Sequence, residues 1–261
     1  MTILTHDNYI ASAKQTLDWF KTASITSVAA QPTTNFHLAG NPSAGTLAVG
    51  NTANGIVPND ALAGYLPINA LSATGHLSGV SYNWSVPGWL FLYDCLFSAG
   101  AYAFNAATTL ATQPSFASRV PGGNYAGLEI WLEAVTAFTG NQSIRVQYLD
   151  EGGAAGDTGT IATGVAPILG RMYRMPMGSG DTGVQRIDVV TSTVSSAGTF
   201  NVHVMRPLWK GRVTVANGGD VHDYLKTRLK QVYGDSALRV VCQPDSTAVG
   251  LPSLLIELCD G

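Results

Sequence analysis

The chain has 261 residues and a mass of 27.3 kDa, and 12% of it is charged, against roughly 25% in an ordinary soluble domain. A hydrophobic share of 46% with a net charge of -3 excludes intrinsic disorder, and no cluster of Lys and Arg is present to neutralise a nucleic-acid backbone. No run of about 18 apolar residues supports a membrane span, so neither nucleic acid nor membrane is expected as a partner.

Residues 7–21 read as an amphipathic helix. Ile10, Ala13, Leu17 and Phe20 recur at helical spacing, and Thr5 or Asp7 can cap the start. A helix this short is marginal alone, so its apolar stripe, with Trp19, must dock. Leu17, Trp19 and Phe20 are the candidate anchors, either on the chain's own domain or on a neighbouring subunit. The opening Met1-Thr-Ile-Leu-Thr-His-Asp has no basic segment followed by an apolar one, so no secretory signal is expected.

Residues 22–45 are rich in Ala, Thr, Ser, Asn and Pro and carry turn signals at Gln31-Pro32 and Asn41-Pro42. They read as an extended arm laid on a surface, which gives two parts: a helix and arm over 1–45 and a β body over 46–261. Strands are predicted over 46–49, 78–84, 89–97, 126–137, 143–148, 158–162, 171–175, 184–190, 199–205, 237–242 and 253–258. The clearest show period-2 patterning, as in Ile144, Val146 and Tyr148. Gly-rich breaks at 139–142, 150–157 and 195–198 read as hairpin turns. Many short strands at this spacing predict a mainly β protein, a jelly-roll-like β-sandwich. One late helix is predicted over 220–233, with Asp220 as N-cap and Gly234 as its stop.

Charge is unevenly placed. Residues 1–118 hold only Asp7, Lys14, Asp18, Lys21, Asp60 and Asp94, and between 22 and 118 only the last two remain. A solvated surface needs far more, whereas the cores of protein interfaces are depleted in charge.

No readable catalytic motif is present. His6, His37, His76, His203 and His222 lack metal-ligand spacing, and His203, mid-strand among apolar residues, reads as a satisfied core histidine. Glu129 and Glu133 share a strand face but lie about 13 Å apart by strand rise, too far for a retaining glycosidase pair. Asp150, Glu151 and Asp157 do not match a calcium loop and read as a solvated hairpin tip. Cys95, Cys242 and Cys259 are isolated, which suits buried reduced thiols in a chain made in a cytosol. No metal and no cofactor is expected. Trp84, Trp89 and Trp131 lie in β text and read first as core or subunit contacts, with a sugar-binding aromatic platform as the alternative.

Ala126-Gly-Leu-Glu-Ile-Trp-Leu-Glu, the Gly156-Asp-Thr-Gly and Gly180-Asp-Thr-Gly turns, Ala197-Gly-Thr-Phe-Asn-Val and Arg206-Pro-Leu-Trp-Lys-Gly-Arg-Val together resemble virion structural proteins of tailed bacteriophages. The resemblance covers about a third of the chain. It implies a non-enzymatic subunit of the virion, assembled in the bacterial host cytoplasm, of the capsid decoration or cement kind. Such proteins bind the phage major capsid protein, often as trimers with β-sandwich bodies and extended arms, so a homo-oligomer is expected. The alternative expectation is a tail or fibre component that recognises a host-surface glycan. A hydrolase is a third, because jelly rolls host many functions.

Overall fold

The computed structural model describes residues 5–72, 74–138, 141–164, 168–193 and 197–261. In chain order the elements begin with α1 (His6–Ala11), β1 (Lys14–Lys21), β2 (Ile25–Thr26), β3 (Thr33–Thr34), β4 (Gly40–Asn41), β5 (Asn51–Ile56) and β6 (Thr74–Trp84). They continue with β7 (Gly88–Ala103), β8 (Ala106–Thr109), β9 (Glu129–Ala134), β10 (Ser143–Asp150), β11 (Ala155–Ala162), β12 (Met172–Arg174), β13 (Val184–Thr193) and β14 (Thr199–Val213). The last are β15 (Gly218–His222), α2 (Tyr224–Thr227), β16 (Gln231–Tyr233), β17 (Leu238–Pro244), β18 (Val249–Gly250) and β19 (Pro252–Asp260). The chain is mainly β, with antiparallel sheets, as the patterning predicts.

Two compact units divide it. The first gathers residues 1–45, 59–94 and 208–261; the second gathers 46–58 and 95–207. The 1–45 segment, predicted to be a helix and arm, falls within the first unit.

In the first unit one sheet runs β15-β6-β19-β1-β4, with β16 also on β6. Its core contains Leu17 and Trp19 from β1, Val80 and Tyr82 from β6, and Leu254 and Ile256 from β19. Across from these lie Leu90 and Leu92 of β7 and Val240 and Cys242 of β17. A two-layer sandwich results, because each strand sends alternate side chains into the shared core.

The long N-terminal helix does not form. The helix ends at Ala11, and Leu17, Trp19 and Phe20 belong to β1, paired with β19 at Leu17↔Ile256 and Trp19↔Leu254. Helical spacing and strand alternation both fit this text. Pairing with β19 over Lys14–Phe20 satisfies one edge of β1, and the strand buries Leu17 and Trp19, which a lone helix could not do. Lys21 hides the alternation: it is buried on the core side, donates to the Pro42 carbonyl at 2.8 Å, and burial lowers its ammonium to about 8.

The late helix is likewise reduced to Tyr224–Thr227, flanked by β15 and β16, both paired with β6. Asp223, not Asp220, caps it through Leu225 N and Lys226 N. Arg228 and Leu229 take positive φ of 56° and 45°, which ends the helix.

The arm lies on its own unit. β3 pairs with β17, and Phe36 takes the Arg239 guanidinium 4.2 Å above its ring. Gly45 fits beside Phe36 because it has no side chain: a Cβ there would sit 2.2 Å from the ring.

In the second unit one layer is β12-β9-β14-β7, with β5 on β7, and the other is β11-β10-β13-β8. Ile130 and Leu132 of β9, Val202 and Val204 of β14, Ile144 and Val146 of β10, and Ile187 and Val190 of β13 form its core. The strand predicted over 46–49 is replaced by β5. The turns predicted at 139–142 and 195–198 lie partly outside the described residues.

Candidate functional site

The second unit assembles a constellation that no local motif announces. β7 supplies Ser98, β9 supplies Glu133 and β14 supplies Asn201 and His203. His203 Nδ1 is 2.8 Å from Ser98 Oγ, and His203 Nε2 is 3.1 Å from Glu133 Oε2. Asn201 Nδ2 donates to the Leu47 carbonyl at 2.6 Å and to Glu133 Oε2 at 3.3 Å. The order hydroxyl, imidazole, carboxylate is that of a nucleophile relay. Solvent does not reach it: Ser98 is 3% exposed, His203 1% and Glu133 0%. In this setting the groups satisfy one another and pin three neighbouring strands.

Glu133 and Glu129 do not form a pair. Glu129 instead accepts from the Trp131 indole at 2.8 Å and meets Arg174 at 2.8 Å. The link from His203 to Glu133 arises from the β9–β14 register, in which Glu133 faces Asn201 and Trp131 faces His203. Spacing along the sequence carries no trace of it.

The acidic loop residues are each held by protein donors. Asp150 Oδ1 accepts from Gly152 N and Ala154 N, both at 2.8 Å. Glu151 Oε2 accepts from Thr182 N at 2.9 Å and Gly183 N at 3.0 Å, and the Thr182 amide first, then the Thr182 side chain, with its own backbone and the Gly183 amide, hold its carboxyl down at about 2. Asp157 pairs with Arg145, which lowers its carboxyl. Tyr148 donates to Asp181 at 2.6 Å and accepts from Gly178 N at 2.7 Å. Burial, first, and the bond to Asp181 push the Tyr148 phenol up to about 12, against the Gly178 amide, which lowers it. Among the described residues no group of three or more His, Cys, Asp or Glu is placed to hold a metal ion.

The aromatic candidates are mostly enclosed. Leu17, Trp19, Trp84 and Trp131 are buried, and Phe20 is exposed on the outer face of β1. Trp89 is half-buried, stacked on Phe91 and flanked by Lys210 Nζ at 5.6 Å and Arg212 Cζ at 5.2 Å from its ring. Trp84 and Trp131 therefore present no ring face to a sugar, and Trp89 is flanked by cations.

The charge gap acquires a location. Of its two charges, Asp94 is fully buried and accepts from Ser236 Oγ at 2.9 Å and Ala237 N at 3.1 Å. Asp60 accepts from Ile68 N at 2.8 Å. Both carboxylates serve backbone and hydroxyl groups of their own unit. The exposed positions around them are uncharged, mostly Ala, Ser, Thr, Asn and Pro with Gly50 and Leu62, and in the second unit Ala103, Asn105, Ala106, Ala107, Thr109 and Ala111 are exposed and neutral.

No family model matches the chain, and no curated protein matches it. Among solved structures, the chain is similar at low score to three of infectious bursal disease virus. For the Gx strain the identity is 13% and the TM-score 0.20, over 69% of this chain and 40% of that one. For the Gt strain the values are 10% and 0.17, over 95% and 82%. For the VP2 subviral particle they are 10% and 0.15, over 95% and 80%. The chain thus spans less than half the length of the first of these, and likeness at this level carries no argument about activity or partners.

Proposed function

We propose that this chain is a non-enzymatic structural subunit of a tailed-phage virion, a capsid decoration protein that holds neighbouring shell subunits and associates with its own copies. The observation that carries the reading is the exposed neutral surface of the 22–118 run, whose two carboxylates are both spent internally. A surface that remains in water needs charge for solubility; one that is covered in an assembly does not. The sequence resemblance to virion proteins points the same way, and trimers are the form it implies.

A deletion of 1–45 does not test docking, since β1 carries Leu17 and Trp19 into the core of its own unit. The test is a tagged chain expressed in the phage's host during infection. It should co-sediment with shells, and electron cryo-microscopy should show it at symmetry-related positions on their exterior. Density on a tail tip or fibre overturns the decoration role in favour of glycan recognition. Chain found only as free protein overturns the virion reading.

A further inference from the structure

We propose that His222 is an acid-released latch in the first unit: neutral, it ties the edge strand β15 to Trp209 of β14; protonated, it lets go of Trp209 and turns to Asp220. The latch needs no partner chain, so it stands or falls apart from the virion reading.

Trp209 Nε1 donates to His222 Nδ1 at 2.9 Å. An indole nitrogen can only donate, so Nδ1 carries no hydrogen here and the ring's one hydrogen sits on Nε2. Two acceptors lie 3.4 Å from Nε2: the Tyr82 hydroxyl and Asp220 Oδ2. Tyr82 in turn donates to the Arg212 carbonyl at 3.4 Å. The chain of bonds therefore runs one way, from Trp209 through His222 and Tyr82 to a backbone oxygen. The three rings meet edge to face, Tyr82 to Trp209 at 4.9 Å, Tyr82 to His222 at 5.3 Å and Trp209 to His222 at 5.6 Å between centroids.

A proton from solvent can add only at the Nδ1 lone pair. Two N–H donors then face each other across 2.9 Å, and turning the ring over does not help, because both nitrogens now carry hydrogen. His203 differs: its Nδ1 faces a serine hydroxyl, which donates or accepts, so either charge state keeps that bond.

The groups around the ring give the released imidazolium a place to go. Asp220, on β15 itself, is the nearest carboxylate. The Val221 amide first, then Lys226, hold its carboxyl below the usual carboxylate range, so it is charged where histidine takes up a proton. Lys226 of α2 lies 3.4 Å from the same Asp220 oxygen and opposes the imidazolium there. Asp223, at the start of α2, is spent on Leu225 N and Lys226 N, and the Arg212 guanidinium is paired with Asp245. Burial first, then Asp220, push the Tyr82 phenol up, with the Arg212 bond opposing, and it stays a hydroxyl.

The latch matters because β15 has little else. It lies at the end of its sheet, on β6, and none of its five residues is buried. Two are glycines and Val221 is 64% exposed; His222 is the side chain of β15 that enters the ring cluster. β15 also walls an open cleft of about 420 Å³ that Asp18, Ser81, Asn83 and Ser253 line, so freeing the strand alters that cleft.

The experiment follows the indole N–H resonances of the full chain, labelled with nitrogen-15, from about pH 8 to about pH 5, the range in which histidine changes charge, together with amide hydrogen exchange. Trp209→Phe identifies the Trp209 signal. That signal should move through one titration. Protection of the β15 amides, corrected for the intrinsic pH dependence of exchange, should fall about tenfold, as for the loss of one hydrogen bond, while β19 keeps its own. His222→Gln offers an oxygen that accepts from the indole and takes up no proton, so both readouts should be flat. Asp220→Asn, at an exposed side chain, removes the carboxylate that receives the imidazolium and should move the midpoint to lower pH; it carries the test if His222→Gln does not fold. A Trp209 signal indifferent to pH overturns the proposal, as does a titration that persists in His222→Gln or a midpoint that Asp220→Asn leaves in place. Titration of Trp209 with β15 protection unchanged also overturns it, because the contact then holds nothing.

Discussion

The imidazole of His203 touches Ser98 on β7 and Glu133 on β9 at once. His203→Ala leaves the buried Glu133 carboxylate without that partner, and losing one member of a buried pair costs about 3–5 kcal/mol. Urea denaturation should show that loss, and adding Glu133→Gln to His203→Ala should recover part of it by removing the charge. Cys242 makes a second, pH-dependent prediction. Burial pushes its thiol from 9.0 up to about 12. Above pH 9 the unfolded chain releases this proton while the folded chain keeps it, so the unfolded state binds fewer protons and stability falls as pH rises from about 9 to 12. The unfolding midpoint of Cys242→Ser should fall less steeply over that window. The Glu151 carboxyl has the opposite dependence. It is held at about 2 by the Thr182 amide and side chain together with the Gly183 amide, so its contribution is complete above its ordinary value near 4.5 and is lost as pH falls toward 2. Exchange at those two amides should quicken over that acid range in the wild type, and at neutral pH in Glu151→Gln.

At the scale of elements, β1 and the arm are where the sequence and the fold part company. Trp19→Ala should cost about 3–5 kcal/mol, because the ring fills the first unit's core and a cavity remains; a docking helix would have tolerated it in the free chain. Gly45→Ala should cost about 1–3 kcal/mol through the clash with Phe36, read by thermal unfolding. The strands around Ile144, Val146 and Tyr148 were legible because one face is buried and the other is wet, so alternation survives in the text. β14 is buried on both faces from Phe200 to Arg206, yet its β-branched residues still marked it. β1 was not legible as a strand: Lys21 stands on its core side, and Ile10 and Ala13 extend a helical spacing by coincidence. The helix over 220–233 failed because Val221 and Val232 pair with residues of β6 far away in sequence. Of the candidate site, the neutral run was fully visible, since composition alone shows it. The His203–Glu133 link was not, because it depends on strand register.

On the scale of the whole molecule, the neutral run sets how assembly responds to its medium. Contacts made by uncharged backbone and small side chains are indifferent to ionic screening. Raising salt from about 0.1 to about 1 M, where the Debye length falls from about 10 to about 3 Å, should leave the association constant of the chain unchanged. A steep weakening would assign assembly to the charged residues beyond 118 instead. The same surface predicts sparing solubility of the unassembled chain, since neutral exposed patches favour association.

The pairing of β1 with β19, Lys14↔Cys259 through Phe20↔Ser253, also sets a timetable. Residues translated early find their ladder partner only after some 240 more have been joined, about 12–50 seconds at ordinary synthesis rates. Until then Leu17 and Trp19 have no sheet to enter and remain accessible to chaperones or to other nascent chains. The second unit lies wholly within 46–207 and is free to fold before the first unit's sheet is complete. Such long-range closure slows folding, and a pulse-chase with limited proteolysis should show 95–207 becoming resistant before 14–21.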